Sequence, residues 1–232
     1  MQDKTVTTEE IEKEIIAFSI PHSFYGLQFG ARMTAVALKN KEVILYSPIP
    51  ITTAIEERIA NLGTVKYIIA PNLFHHLYAG DARSAFSGSK LYSPPGLVKK
   101  RKDLSIDHVI GEAQLPWSAE LETITIEGTD ILQETVLYHK KSKTLICCDL
   151  MQNLQQVRGT FTHIYTRFLG DIYEKPGLSR LLRFAFRDKA RARDSIDRIL
   201  ALDIAKVVMA HGEVIHGNGG EVLQDVYAWL KP

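Results

Sequence analysis

The chain has 232 residues, of which 45% are hydrophobic and 24% charged, and its 28 Lys and Arg nearly balance 27 Asp and Glu for a formal net charge of +1. These are ordinary globular values, with room for a core of useful size in one large domain or two small ones. The neutral balance excludes a broad nucleic-acid surface, whose affinity would come mainly from neutralising phosphates, and no apolar stretch approaches the ~20 residues of a membrane span.

The first residues, MQDKTVTTEEIEKEI, are polar and acidic, unlike a secretory signal. Residues 1–16 read as a polar tail with a short helix from Thr8 to Ile16, and 17–232 as a single domain, soluble and cytoplasmic. Two apolar runs follow, Met33–Leu38 and Glu42–Tyr46, separated by Lys39-Asn40-Lys41, which predicts a hairpin. "SPIPI" imposes an extended exit. Thr53 and Glu56 form a capping box for a helix carrying Ile55, Ile59 and Leu62, stopped by Gly63. "VKYIIAP" is a short buried strand, so the chain opens as strand, helix, strand, the start of an α/β layered domain.

PNLFHHLYAGDARSAF reads as a loop entering a helix, and "KLYSPPGL" as a strand entering a turn. Leu121–Ile126, Glu134–His139 and Thr144–Cys148 are further strands. Helical patterns appear near Thr162–Leu169, Leu178–Phe186 and Arg193–Leu202. "AKVVMAH" is a last strand, and Val222, Leu223, Val226 and Leu230 mark a closing helix. Strands thus come in two groups, each followed by helices, which suits two sheets sandwiched between helical layers.

The only two cysteines, Cys147 and Cys148, are adjacent in an apolar run. On a strand they point to opposite faces, which excludes a mutual disulfide and fits a reducing compartment. They read as inert core thiols, with a thiolate ligand as the alternative.

Four places bring metal-capable groups to the end of a predicted strand or the loop beyond it: Asn72, His75, His76 and Asp81; the Asp130–Glu134 turn; Asp149; and His211, followed by Gly212. Each has an ordinary reading alone. Adjacent histidines often start a helix with one ring buried, an acid after a strand is often a helix N-cap, and a lone His before Gly is as often structural as functional. Their joint recurrence at strand ends suits zinc, iron or manganese. Arg180, Arg183, Arg187 and Arg191 fall at helical spacing, either as a phosphate or RNA contact or as a solvated face interleaved with Asp188, Asp194 and Asp197. Tyr165, Phe168, Tyr173, Phe184 and Phe186 read either as lining for an apolar pocket or as helix packing.

The segments "RMTAVAL", "SPIPI", "LGTVKYIIAPNLFHHLYAGD", "SPPGL", "ETVLYHKKSKTLICCDL" and "VVMAHGE" resemble the metallo-β-lactamase superfamily. The resemblance is to a domain-of-unknown-function branch with an Asn-x-x-His-His element, over residues 30–230. It implies an αββα sandwich of two mixed β-sheets flanked by helices. It further implies one or two divalent ions, zinc first and iron or manganese next, whose lowering of a water's pKa produces a hydroxide that attacks an ester, thioester or amide.

Where the superfamily carries His-x-His-x-Asp-His, Pro71 and Leu73 occupy two ligand-histidine positions, His75 replaces the aspartate and His76 matches the last histidine. Asp149 and His211 match the bridging carboxylate and the late histidine. The expected metal set is His75, His76, Asp149, His211 and Glu134, with Asp149 and His76 as catalytic groups, and Asn72 as a weak oxygen ligand or an orienting group. The leading expectation is a metal-dependent hydrolase with a degenerate site acting on a small-molecule substrate, with no nucleic-acid or membrane partner. The alternatives are a catalytically inactive relative that binds a ligand or partner without metal, and an iron-dependent redox protein of the same fold.

Overall fold

The computed structural model describes residues 6–230, which cluster into two compact units. The first runs through Ile20 and takes in Ala31–Glu120; the second consists of Pro21–Gly30 and the chain from Leu121 onward.

The first unit is built on β1 (Thr7–Glu12), β2 (Ile15–Ile20), β3 (Ala31–Ala37), β4 (Glu42–Tyr46), β5 (Thr64–Ile69), β6 (Lys90–Ser93) and β7 (His108–Val109), joined in part by α1 (Thr53–Leu62), α2 (Ala79–Ala85) and α3 (Pro95–Lys100). The strands form one sheet in sequence order, antiparallel from β1 to β4 and parallel from β4 to β7. Parallel neighbours need a crossover, and α1 makes the one between β4 and β5, burying Ile55 and Ile59 against Val43, Leu45, Val65 and Ile68.

Three expectations are corrected here. Residues 1–16 are not simply a tail, because β1 pairs with β2 from Thr7↔Ser19 to Glu12↔Ile15. The acidic run looked solvated because β1 is an edge strand with Thr7–Glu10 exposed; a charged edge discourages pairing with another chain. The helix cap is Thr52, whose Oγ1 accepts from the Ile55 amide at 3.4 Å, one residue before the expected Thr53. "SPPGL" starts α3 rather than a turn, since proline in a first helical turn costs no hydrogen bond.

Asp107, just before β7, ties this sheet edge together. Its carboxylate accepts from the Leu91 amide at 2.9 Å and pairs with Arg83 at 3.0 Å and Lys90 at 3.3 Å. Burial alone would raise its pKa, but the Leu91 amide and the two cations outweigh that and hold it below the usual carboxylate value. A folded-state pKa below the unfolded one gives stability that is present above the unfolded value and lost as pH falls through the folded one. Asp107→Asn is therefore expected to be about 1–2 kcal/mol less stable than the parent at neutral pH, with the gap closing below about pH 4. Urea melts across that range check it.

The second unit contains β8 (Leu121–Thr125), β9 (Thr135–His139), β10 (Thr144–Ile146), β11 (Gln152–Asn153), α4 (Thr160–Ile164) running into a π-helical turn at Tyr165–Gly170, β12 (Pro176–Gly177), α5 (Arg180–Arg183), α6 (Lys189–Leu200), β13 (Lys206–Val208), α7 (Gly219–Val226) and a 3-10 turn at Ala228–Leu230. Its sheet has the order β13-β10-β9-β8, with β13 parallel to β10 and the other pairs antiparallel, and β11 pairs separately with β12. The core joins Val136, Leu145 and Val207 of the sheet to Ile196 and Ile199 of α6 and Leu223 of α7. The arginine series does not lie on one helix: α5 ends at Arg183, and Asp188 caps a new helix by accepting from the Arg191 amide at 3.1 Å. None of the described helices is long and apolar enough to cross a membrane.

Candidate metal centre

In the first unit the chain leaves β5 through Ala70-Pro71 into the fully buried Asn72. Its side-chain Oδ1 accepts from the amides of Phe74 at 2.8 Å and His75 at 2.7 Å. This turn fixes the chain at the two histidines, so of the two roles open to Asn72 the structure shows the orienting one. The His75 ring nitrogen Nδ1 lies 2.9 Å from the hydroxyl of Ser47, the residue after β4, which adopts a left-handed backbone at φ 56°. The hydroxyl can accept the Nδ1 proton, leaving a lone pair on Nε2.

His76 is handled differently. Its Nδ1 lies 2.9 Å from Arg101, and a guanidinium only donates, so Nδ1 accepts and Nε2 carries the proton of the neutral ring. Burial, reinforced by the charges of Lys100 and Arg101, lowers its pKa to about 4. Arg101 is itself held by both oxygens of Asp103, at 2.9 and 2.6 Å. Asp81 is exposed in the first turn of α2, a position that a helix dipole favours for an acid.

In the second unit Asp149 and His211 come together. Asp149 follows β10 and His211 follows β13; the two strands are parallel neighbours, so both tips emerge on one side. His211 Nε2 lies 3.7 Å from Asp149 Oδ1, and both side chains are largely buried. His211 Nδ1 lies 2.9 Å from the Gly30 carbonyl oxygen. A carbonyl only accepts, so Nδ1 carries the proton and the lone pair of a neutral ring sits on Nε2, toward Asp149. A ring held through its far nitrogen by a backbone carbonyl is the arrangement of a metal-ligating histidine. Two donors each about 2.0–2.2 Å from one ion lie roughly 3.4 Å apart at a tetrahedral angle, close to the spacing found. Imidazole and carboxylate thus fit a divalent ion in chemistry and in spacing.

Glu134, fully buried ahead of β9, accepts from the Cys148 amide at 2.6 Å and the Asp149 amide at 2.8 Å, one on each oxygen. It braces the backbone from which Asp149 projects. Asp130 of the same turn is exposed. Cys147 and Cys148 are both buried thiols. Gly212 follows His211 at φ 93°, and a Cβ there would lie 2.0 Å from the backbone oxygen of Asn153. This close approach sets His211, whose carbonyl accepts from the Asn153 amide at 3.1 Å. Phe29 packs beside the imidazole at 5.9 Å between ring centroids and beside Tyr165 at 5.7 Å.

Sequence reasoning did not find Ser47, Gly30, Arg101 or Asn153. Two of the four act through backbone atoms, which carry no residue signature, and Ser47 and Arg101 lie far in sequence from the rings they touch.

The fold recurs in solved structures. A metallo-beta-lactamase from Pontibacter korlensis is similar at TM-score 0.65 and 14% identity, covering 97% of this chain and 99% of that one. A metallo-beta-lactamase from Hirschia baltica is similar at TM-score 0.64 and 11% identity, covering 99% of each. The metal-soaked Flv1 flavodiiron core from Synechocystis sp. PCC6803 is similar at TM-score 0.63 and 12% identity, covering 98% of this chain and 61% of that one. No curated protein matches the chain. The fold is that of the metallo-β-lactamases. The family model described as Domain of unknown function (DUF4336) matches residues 12–197, and the chain belongs to that family.

Proposed function

We propose that the protein is a metal-dependent hydrolase of the metallo-β-lactamase type, holding one ion through Asp149 and His211. The observation that carries this reading is the meeting of Asp149 and His211 at the tips of the parallel strands β10 and β13. His211 Nε2 lies 3.7 Å from Asp149 Oδ1, and the Gly30 carbonyl accepts from Nδ1, which in the neutral ring leaves a lone pair on Nε2 for an ion. An imidazole nitrogen and a carboxylate oxygen at that spacing suit a shared divalent ion. One histidine and one carboxylate leave positions open for water and substrate.

When bound, the ion supplies Lewis acidity, which eases ionisation of water and polarises an ester, thioester or amide carbonyl. Asp149 orients the attacking water and accepts its proton. His76 is not a ligand in this reading, because Arg101 occupies its Nδ1. It positions the loop that carries His75. Glu134, likewise, is a positioning residue.

Protein purified without added metal is expected to carry close to one equivalent of zinc per chain by elemental analysis, and to hydrolyse members of an ester and thioester panel. A chain free of metal, with a melting temperature indifferent to EDTA, would instead be an inactive binding relative. Imidazole and carboxylate also suit non-haem iron, and iron would declare itself by a visible absorption band.

Glu134→Gln separates bracing from ligation. One backbone amide would then face an NH2 donor, so metal affinity is expected to fall roughly 10–100-fold, the usual effect of losing a group behind a ligand. Stoichiometry at saturating zinc should stay unchanged. A loss of stoichiometry would make Glu134 a ligand.

A further inference from the structure

The second unit carries an apolar surface of unusual make-up. Of the twelve large hydrophobic side chains exposed among the described residues, eight fall in Phe24–Tyr25 and 161–184. Tyr25, Phe168 and Phe184 are 86%, 65% and 74% exposed. These segments adjoin one another. The Gly26 turn approaches the ring of Phe161, whose nearest atom would lie 3.6 Å from a Cβ there. The Tyr165 hydroxyl bonds Ser179 at 3.1 Å, and Arg180 pairs with Asp171 at 3.3 Å, fastening α5 to the π-helical turn.

The helix formed by α4 and the π-helical turn inverts the ordinary pattern of a surface helix. Its buried positions are Thr162, Tyr165, Thr166 and Gly170, whereas Phe161, Ile164, Phe168 and Leu169 face outward. The outward face is the more apolar one. The same stretch, 157–187, holds Arg158, Arg167, Lys175, Arg180, Arg183 and Arg187 against only Asp171 and Glu174, a net of +4, which leaves the rest of the chain at −3.

We propose that this face docks on an anionic phospholipid surface, with Phe161, Phe168, Leu169, Leu181 and Phe184 entering the interface and the arginines meeting headgroup phosphates. Exposed aromatic and aliphatic side chains ringed by arginine are the make-up of interfacial helices, and anionic leaflets attract such basic segments. A second copy of the chain is a poor occupant, because a two-fold contact sets each patch against itself and would oppose two surfaces of the same positive sign. Single-stranded nucleic acid would use the rings but not Ile164, Leu169 and Leu181, which cannot stack on bases. The proposal is independent of the metal reading.

Flotation of the full chain with vesicles tests it. Phosphatidylcholine containing about one quarter phosphatidylglycerol is expected to bind at least tenfold better than phosphatidylcholine alone, an advantage lost in high salt. The double variant Phe168→Ser with Phe184→Ser, both exposed and so not expected to disturb folding, should lower partition about a hundredfold. Arg180→Gln with Arg187→Gln should lower binding to the anionic vesicles only. No binding to either vesicle, equal binding to both, or binding unchanged by the phenylalanine variants would overturn the proposal. So would concentration-dependent dimers that the phenylalanine variants abolish, which would assign the face to a second copy.

Discussion

His211→Ala is expected to be isolated with only trace metal and to bind added zinc about 10²–10³-fold more weakly than the parent, the loss expected when a protein ligand is removed. The imidazole is held through Nδ1 by the Gly30 carbonyl, 181 residues away in sequence. His139→Ala is the matched control. That ring is also buried, but its Nδ1 bonds Ser142 at 2.7 Å, and it is not among the proposed ligands. Its loss should cost stability and leave metal content alone. Equal metal content in the His211 variant and the parent would remove His211 from the ligand set and, with it, the proposed chemistry.

Gly212→Ala is expected to be the most damaging single-methyl change near this centre. The new Cβ would sit 2.0 Å from the Asn153 backbone oxygen and 2.3 Å from its carbonyl carbon. A backbone cannot swing aside as a side chain can, so the His211–Gly212 segment and β11 must part. A loss of about 3 kcal/mol or more is expected, or roughly 10 °C in melting temperature for a chain of this size. Gly217 offers an internal comparison, since it has the same φ of 93° with nothing within 4 Å of its Cβ position. Gly217→Ala should cost only about 1 kcal/mol, the intrinsic penalty of a left-handed backbone. Similar melting temperatures for the two variants would show that Asn153 yields, and that Gly212 serves only for its dihedral angle.

Much of this architecture was readable from pattern. The apolar runs predicted β3, β4, β5, β8 and β9 to within a residue or two, because half-buried and buried strands must carry such runs. β1 was missed because an edge strand need bury only one position, and here only Ile11 is buried; its glutamates then look like a solvated helix. α5 was expected to be longer than its four residues. Phe184, read as pocket lining or helix packing, is exposed instead. Asp149 and His211 were legible because each ends an apolar strand, and the parallel pairing of β10 with β13 brings them together. The adjacent histidines could not be told apart in sequence. What distinguishes them is Ser47 on one ring and Arg101 on the other, contacts spanning 28 and 25 residues.

The acidic first strand has a role that outlasts its small contribution to the core. Behind it lies Ile15–Ile20, with five of six residues buried. Removing the first dozen residues would turn that run into an outermost ribbon of bare amides and greasy side chains, the make-up from which intermolecular stacking starts. Trimming the amino terminus should therefore show itself as insolubility before any loss of bound metal. The four glutamates from Glu9 to Glu14 act as a built-in guard against fibre growth.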